Sequence, residues 1–150
     1  MSGIEWRYLA FDALSVAELY AVLQLRAEVF VVEQACVFQD MDGADAQAMH
    51  LVGTLQGVLV AYARCFAAGE KFVEASIGRI VTRSSVRGSG AGHALVEKAI
   101  FCLFQRSGAQ AIRIGAQAQL ASFYGQHGFE KSGSPYMEDG IPHIEMLRSV

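Results

Sequence analysis

The stretch Ile77-Gly-Arg-Ile-Val-Thr82 runs through a short turn into Arg87-Gly-Ser-Gly-Ala-Gly92, and then into an apolar segment from about His93 to Arg106 that Gly108 ends. β-branched residues make the first part a strand, and the apolar run of the last part reads as a helix. Three glycines within five residues at the junction need a reason, because glycine costs conformational entropy on folding. Close approach of a ligand to bare backbone is such a reason. Free N–H groups at a helix N-terminus, with the helix dipole behind them, form an anion site suited to phosphates. A plain flexible turn is the alternative reading.

Two common phosphate-binding patterns fail. A Walker A loop requires Gly-Lys-Ser/Thr after its spacer, and no such tripeptide occurs. A dinucleotide fingerprint requires a third glycine where Leu95 stands and an acidic residue where Ile112 stands. A dinucleotide-binding oxidoreductase is therefore a weak reading of these glycines.

Outward from this segment, Ser15-Val-Ala-Glu18 is a capping box. Val16, Leu19, Tyr20, Leu23, Ala27 and Phe30 follow at helical spacing, which predicts a helix to about Val29. The polar segment Gln39-Asp-Met-Asp-Gly-Ala-Asp45 reads as a solvated loop. Residues 51–55 and 58–66 flank Gln56-Gly57 as a β-hairpin, and residues 72–82 read as a further strand. Downstream, residues 111–116 are a strand, 120–127 a helix stopped by Gly128, and 129–136 and 143–147 two last strands. A helix, antiparallel strands and then a β-α-β-α-β-β order predict an α+β (mixed α/β) fold.

The chain has 150 residues, 53% of them apolar and 18% charged, with 15 Gly and 2 Pro. That composition excludes disorder and collagen, and the length fits one domain, residues 1–150. Mean hydropathy is +0.29, yet the longest apolar stretches, residues 29–32 and 58–63, fall far short of a membrane span. The first eight residues lack the basic-then-apolar order of a signal peptide, so a cytoplasmic location is expected, without membrane association. A net charge of −3 without a basic cluster argues against nucleic acid as a partner. Cys36, Cys65 and Cys102 fit neither a disulfide framework nor a zinc site and read as buried thiols. The four histidines are scattered, so no metal is expected.

Arg87-x-x-Gly90-x-Gly92 after a strand resembles the acyl-CoA pyrophosphate loop of the GCN5-related N-acetyltransferases. Ser122-Phe-Tyr-Gly-Gln-His-Gly-Phe129, about thirty residues on, resembles that family's second signature. Arg26-Ala-Glu-Val-Phe-Val-Val-Glu-Gln34, Gln39-Asp-Met-Asp42, Ala61-Tyr-Ala-Arg64, Gly115-Ala-Gln-Ala118 and Asp139-Gly-Ile-Pro-His143 are similar to its ElaA-type subgroup. The resemblance covers nearly the whole chain. It implies a twisted, mostly antiparallel sheet splayed at the acyl-CoA site and flanked by helices.

The activity so implied moves an acetyl group from acetyl-CoA, as co-substrate, directly to an amine of a small molecule or peptide. By the resemblance, Ile80, Val81 and Thr82 meet the pantetheine arm and the thioester. Arg87, Gly88, Ser89, Gly90, Ala91 and Gly92 hold the pyrophosphate, and Tyr124 protonates the departing thiolate. Arg26, Glu33, Asp40 and His143 are candidates for the acceptor side, while Glu33, His50, Glu74, His143 and Glu145 are candidate bases. Many relatives dimerise, and the apolar composition is compatible with a homodimer. A CoA-binding module without turnover and an acyl-homoserine-lactone-synthase-like acyltransferase are the alternatives.

Overall fold

Ser15 and Glu18 start the first helix as their spacing requires. The Ser15 hydroxyl accepts from the Glu18 N–H, and the Glu18 carboxylate accepts from the Ser15 N–H, each at 3.0 Å. Helix α1 is Val16–Arg26, but the chain does not leave helical geometry near Val29. It continues as a π-helix, Ala27–Glu33, whose wider turns closing at Gln34 carry Phe30, Glu33 and Gln34 to the edge of a cleft. Apolar periodicity reports which face is buried and does not register this change of hydrogen-bond pattern.

The computed structural model describes residues 3–150. Strands β1 (Ile4–Ala10), β2 (Met49–Leu55), β3 (Val58–Phe66) and β4 (Ser76–Thr82) form one antiparallel sheet in that order. Strand β1 is absent from the sequence reading, although Ile4, Trp6 and Tyr8 alternate with exposed Glu5 and Arg7 at strand period. The β2–β3 turn is the expected hairpin: Gln56 and Gly57 both have positive φ, 51° and 80°, as a two-residue type I′ turn demands. Strand β4 is shorter than residues 72–82, because residues 72–74 bend before it and Ala75 makes a lone bridge to Ile112.

Helix α2 (Ala91–Ser107) ends at Gly108, as anticipated. Strand β5 (Ile112–Gln117), short helix α3 (Ala121–Gly125), and strands β6 (Glu130–Lys131), β7 (Tyr136–Glu138) and β8 (Ile141–Arg148) complete the chain. The strand expected over residues 129–136 is two short pieces, both antiparallel to β8 along with β5. Gly133, at φ 99°, lies between them.

Two packed layers sandwich the sheet. Leu95, Val96, Ala99 and Leu103 of α2 pack on Ala61, Ala63, Ile77, Ile112 and Ile114. Val22, Leu25 and Val29 pack on Val52, Tyr62 and Val81 from the other face. The two half-sheets touch between β4 and β5, which run parallel and are linked at the Ala75–Ile112 bridge, with the Arg113 N–H donating to the Ala75 carbonyl at 2.8 Å. Beyond that bridge no further pairing joins them among the described residues. The sheet is thus splayed along the edge of β4. Among the described residues, no helix is long and apolar enough to cross a membrane.

Candidate active site

The gap between β4 and β5 is where the sequence motifs converge. Inside β4, Arg79 and Ile80 together oppose Ala63 of β3, because the register passes from Tyr62↔Val81 to Arg64↔Gly78. This is a β-bulge, and Arg79 takes a left-handed φ of 49° to make it. Three buried or half-buried arginines and three aspartates fasten the 40–45 loop against that bulge. Arg26, 0% exposed, meets Asp40 and Asp45 at 2.7 Å each. Arg64, 1% exposed, meets Asp42 at 2.7 Å and Asp45 at 2.9 Å, and Arg79 meets Asp40 at 2.8 Å.

The charges balance three to three, so the cluster holds the loop to α1, β3 and β4 without net buried charge. The Arg64 hydrogen bonds hold the Asp42 carboxyl well below the usual carboxylate range. Burial pushes Asp45 upward, but Arg26 and Arg64 outweigh it and its net shift is downward. The 39–45 segment is therefore an ion-paired strap and not a solvated loop. Neither Arg26 nor Asp40 lines the cleft, so these two acceptor candidates are structural here.

Under the same strap, His50 is fully buried between the Tyr62 hydroxyl at 2.6 Å and the Asp45 carbonyl at 2.8 Å. A carbonyl only accepts, so Nε2 carries the proton and Nδ1 accepts from Tyr62. Burial lowers the pKa of this imidazole. Two of the three cysteines are buried, as expected. Burial pushes Cys65 up to about 12, and the Cys36 Sγ donates to the Asp139 carbonyl at 2.7 Å. Cys102 is half-buried.

At the far end of β4, Arg87 bonds the Thr82 carbonyl at 2.9 Å and Glu33 at 2.7 Å. Glu33 thus lies on the glycine-loop side of the cleft, engaged by Arg87. Gly88 and Gly90 have φ of 82° and 88°, and a Cβ on either would project into open space. Backbone geometry, and not crowding, demands glycine at both. Gly90 is the N-cap of the 17-residue helix α2 and, having no side chain, supplies no side-chain cap to its first turn. Gly92 packs beneath Phe123, whose ring lies 3.5 Å from where a Cβ would stand. The Ser89 hydroxyl donates to the Val86 carbonyl within the loop. Such a loop can accept a diphosphate on bare N–H groups.

Two cavities meet beside it. A cleft of about 310 Å³ is lined by Val81, Thr82, Arg87 and Gly92 among others. An inner chamber of about 110 Å³ lies behind, lined by Cys36, Gly78, Glu138, Asp139 and His143 among others. Phe30, Gln34, Ile80, Gln117, Leu120 and Tyr124 line both. Tyr124 is 6% exposed, with Phe123 and Phe129 edge-on to its ring at 5.2 and 6.1 Å. Its hydroxyl makes no hydrogen bond to the protein among the described residues, and burial pushes its pKa up to about 12.

His143 stacks on Tyr136 and bonds the Ile141 carbonyl through Nδ1 at 2.7 Å. Nδ1 is therefore the donor, and Nε2, 3.5 Å from Glu138, is the nitrogen with a free lone pair when the ring is neutral. The other candidate bases are engaged away from the chamber. Glu74 and Glu145 pair with Arg113 at 3.0 and 3.1 Å, and His50 is enclosed. His93 and His127, 34 residues apart and in no common motif, share a 2.8 Å hydrogen bond beside Phe123.

The architecture and its glycine loop are those of an acyltransferase. Residues 17–150 match the family model of the acetyltransferase (GNAT) domain, and the chain belongs to that family, in its ElaA-type subgroup. It is 42% identical to protein ElaA of Escherichia coli over 98% of this chain and 97% of that one. An acyl-CoA N-acyltransferase from Pseudomonas aeruginosa superposes with a TM-score of 0.93 at 40% identity, covering 97% of this chain and 99% of that one. The crystal structure of E. coli ElaA superposes with a TM-score of 0.90, with the same coverage of both chains.

Proposed function

We propose that the protein is an N-acetyltransferase of the cytoplasm that moves an acetyl group from acetyl-CoA directly to a primary amine. One observation carries the reading: Tyr124 lies at the junction of a cleft that begins at the glycine loop and a chamber containing carboxylates and His143. The uncapped, glycine-built N-terminus of α2 fits a diphosphate, which supports a CoA thioester in the cleft. Arg87, Gly88, Ser89, Gly90, Ala91 and Gly92 hold the diphosphate. The unpaired β4 edge along Ile80, Val81 and Thr82 binds the amide-bearing arm and offers an N–H to the thioester oxygen as negative charge builds there.

Glu138 and Asp139 favour a cationic amine in the chamber. His143 Nε2 takes the proton that the ammonium must lose before its nitrogen can attack the carbonyl carbon. Tyr124 gives its proton to the sulfur as the C–S bond breaks. A phenol held at about 12 is fully protonated at neutral pH, as a donor must be. Transfer to a thiolate of ordinary pKa, about 8.5, is uphill by roughly 5 kcal/mol. The same apolar wall raises the thiol's pKa as well, which narrows the difference. Holding both reactants across one tyrosine supplies the proximity that direct transfer needs.

Thermal shift with acetyl-CoA, CoA and NAD side by side tests the donor, followed by thiol release over an amine panel. Stabilisation by both CoA species with amine-dependent thiol release is the expected result. Stabilisation by NAD alone, or by none of the three, refutes the reading. Stabilisation without release from any amine points to a CoA-binding module.

A further inference from the structure

Beyond the inner chamber lies an outer vestibule of about 370 Å³, continuous with it through Ile77, Gly78, Arg79, Gly115 and Glu138. Five charged side chains line this vestibule: Arg64, Lys71, Arg79, Glu138 and Glu145. Three already have partners of opposite charge. Arg64 is held by Asp42 and Asp45, Arg79 by Asp40, and Glu145 by Arg113 at 3.1 Å.

Two are left over. Lys71 has no carboxylate within ion-pair distance among the described residues, and its Nζ lies 5.9 Å from the ring centroids of Phe66 and Phe72. Among the described residues, Glu138 has as its ion-pair partner only His143 Nε2 at 3.5 Å, which is cationic only when protonated. Glu138 lines both chamber and vestibule, whereas Lys71 lines the vestibule alone. The free negative charge therefore lies toward Tyr124 and the free positive charge farther out.

Resting on the acetyltransferase reading, we infer that the acceptor is a primary amine bearing a carboxylate, its ammonium taken by Glu138 and its carboxylate by Lys71. A zwitterion is neutral overall and matches one free charge of each sign. A diamine would set its second ammonium against Lys71, with Arg64 and Arg79 close behind. A dianionic phosphate tail would face Glu138 and Glu145. Burial, then Arg64 and Arg79, pull the Lys71 pKa down against a smaller upward pull from Glu138 and Asp42, so a bound carboxylate relieves a net repulsion.

The test compares amino carboxylates, from glycine to 6-aminohexanoate and the common α-amino acids, with the matching primary amides and diamines. Thiol release gives kcat/KM for each. The amino carboxylate is expected to exceed its amide and diamine by ten-fold or more. Lys71→Met should bring that ratio close to one, and Lys71→Arg should retain it, with melting temperature checking that both variants fold. Equal or better use of amides and diamines overturns the inference, as does a ratio that Lys71→Met leaves unchanged; both outcomes leave the acetyltransferase reading standing. If no amine is turned over, calorimetric titration of the same compounds into CoA-saturated protein decides. Binding of amino carboxylates that Lys71→Met abolishes supports the inference, and no preference over amides overturns it. A protein that acetyl-CoA fails to stabilise refutes the acetyltransferase reading itself.

Discussion

Tyr124→Phe separates chemistry from architecture because the Tyr124 hydroxyl makes no hydrogen bond to the protein among the described residues. A typical net hydrogen bond contributes about 1 kcal/mol to stability, and none is lost here, so the melting temperature should stay within a degree or two. Phe123 and Phe129 pack edge-on against the ring, which the substitution leaves in place. Turnover is a different matter. A positioned general acid contributes roughly 10²–10⁴ in rate, or about 3–5 kcal/mol of barrier. The assay is thiol release at saturating acetyl-CoA, with the donor Kd measured separately by calorimetry. A kcat within three-fold of wild type would refute the proton-donor role. A large fall in melting temperature would refute the claim that the hydroxyl serves only the cleft.

The same group carries a pH signature. Its pKa is raised on folding from 10 to about 12, so its contribution to stability is complete below pH 10 and is lost as pH rises through 12. That loss amounts to about 3 kcal/mol and should be absent in the phenylalanine variant, as read by urea unfolding at graded alkaline pH.

Asp45→Ala should destabilise the fold by about 3 kcal/mol in chemical denaturation, because one oxygen serves both Arg26 and Arg64; each arginine keeps a second aspartate, which holds the loss to the low end for a buried pair. Acid should loosen the same strap in two stages when stability is followed by circular dichroism. The contribution of His50, whose pKa is lowered on folding, is complete above about pH 6.5 and is lost as pH falls through its folded value. The contributions of Asp42 and Asp45 are complete above about pH 4 and are lost below it. Gly90→Ala must place a Cβ at φ 88°, which costs about 1–2 kcal/mol, and should weaken acetyl-CoA binding in calorimetry by disturbing the α2 amides. Gly115→Ala would set its Cβ 2.8 Å from the Tyr136 hydroxyl, between chamber and vestibule. Its KM for long acceptors should rise while the donor Kd is unchanged.

How much of this was legible beforehand follows from the range of the signals. The capping box at Ser15, the Gln56-Gly57 turn and the Gly108 stop are local devices, and the structure repeats each of them. The glycine loop was legible for the same reason. The strap was not. Asp42 and Asp45 look solvated in sequence because their arginine partners lie 22 and 19 positions away. Arg26 and Asp40 read as candidates for the acceptor side, but chemical type alone does not say whether a charge faces a cleft or another charge, and here the two face each other. Strand β1 carries its signal in the alternation of Ile4, Trp6 and Tyr8, which is short and weak beside the capping box and periodicity of α1. Lys71 carries no motif at all; its interest comes from three neighbouring charges being satisfied and this one not.

The splay between β4 and β5 has a mechanical side. A continuous sheet shares load across every rung, whereas here, among the described residues, a single rung at Ala75 and Ile112 ties one half to the other, backed by the buried face of α2. The molecule is therefore divided along the seam in which the proposed function sets its substrates. In hydrogen exchange, unpaired amides on the open edge of β4 should exchange without global opening, while β3, bonded on both sides, should report the whole fold. A molecule laced into the seam would bridge the halves. Protection gained on both flanks of the gap at once would measure that bridging directly.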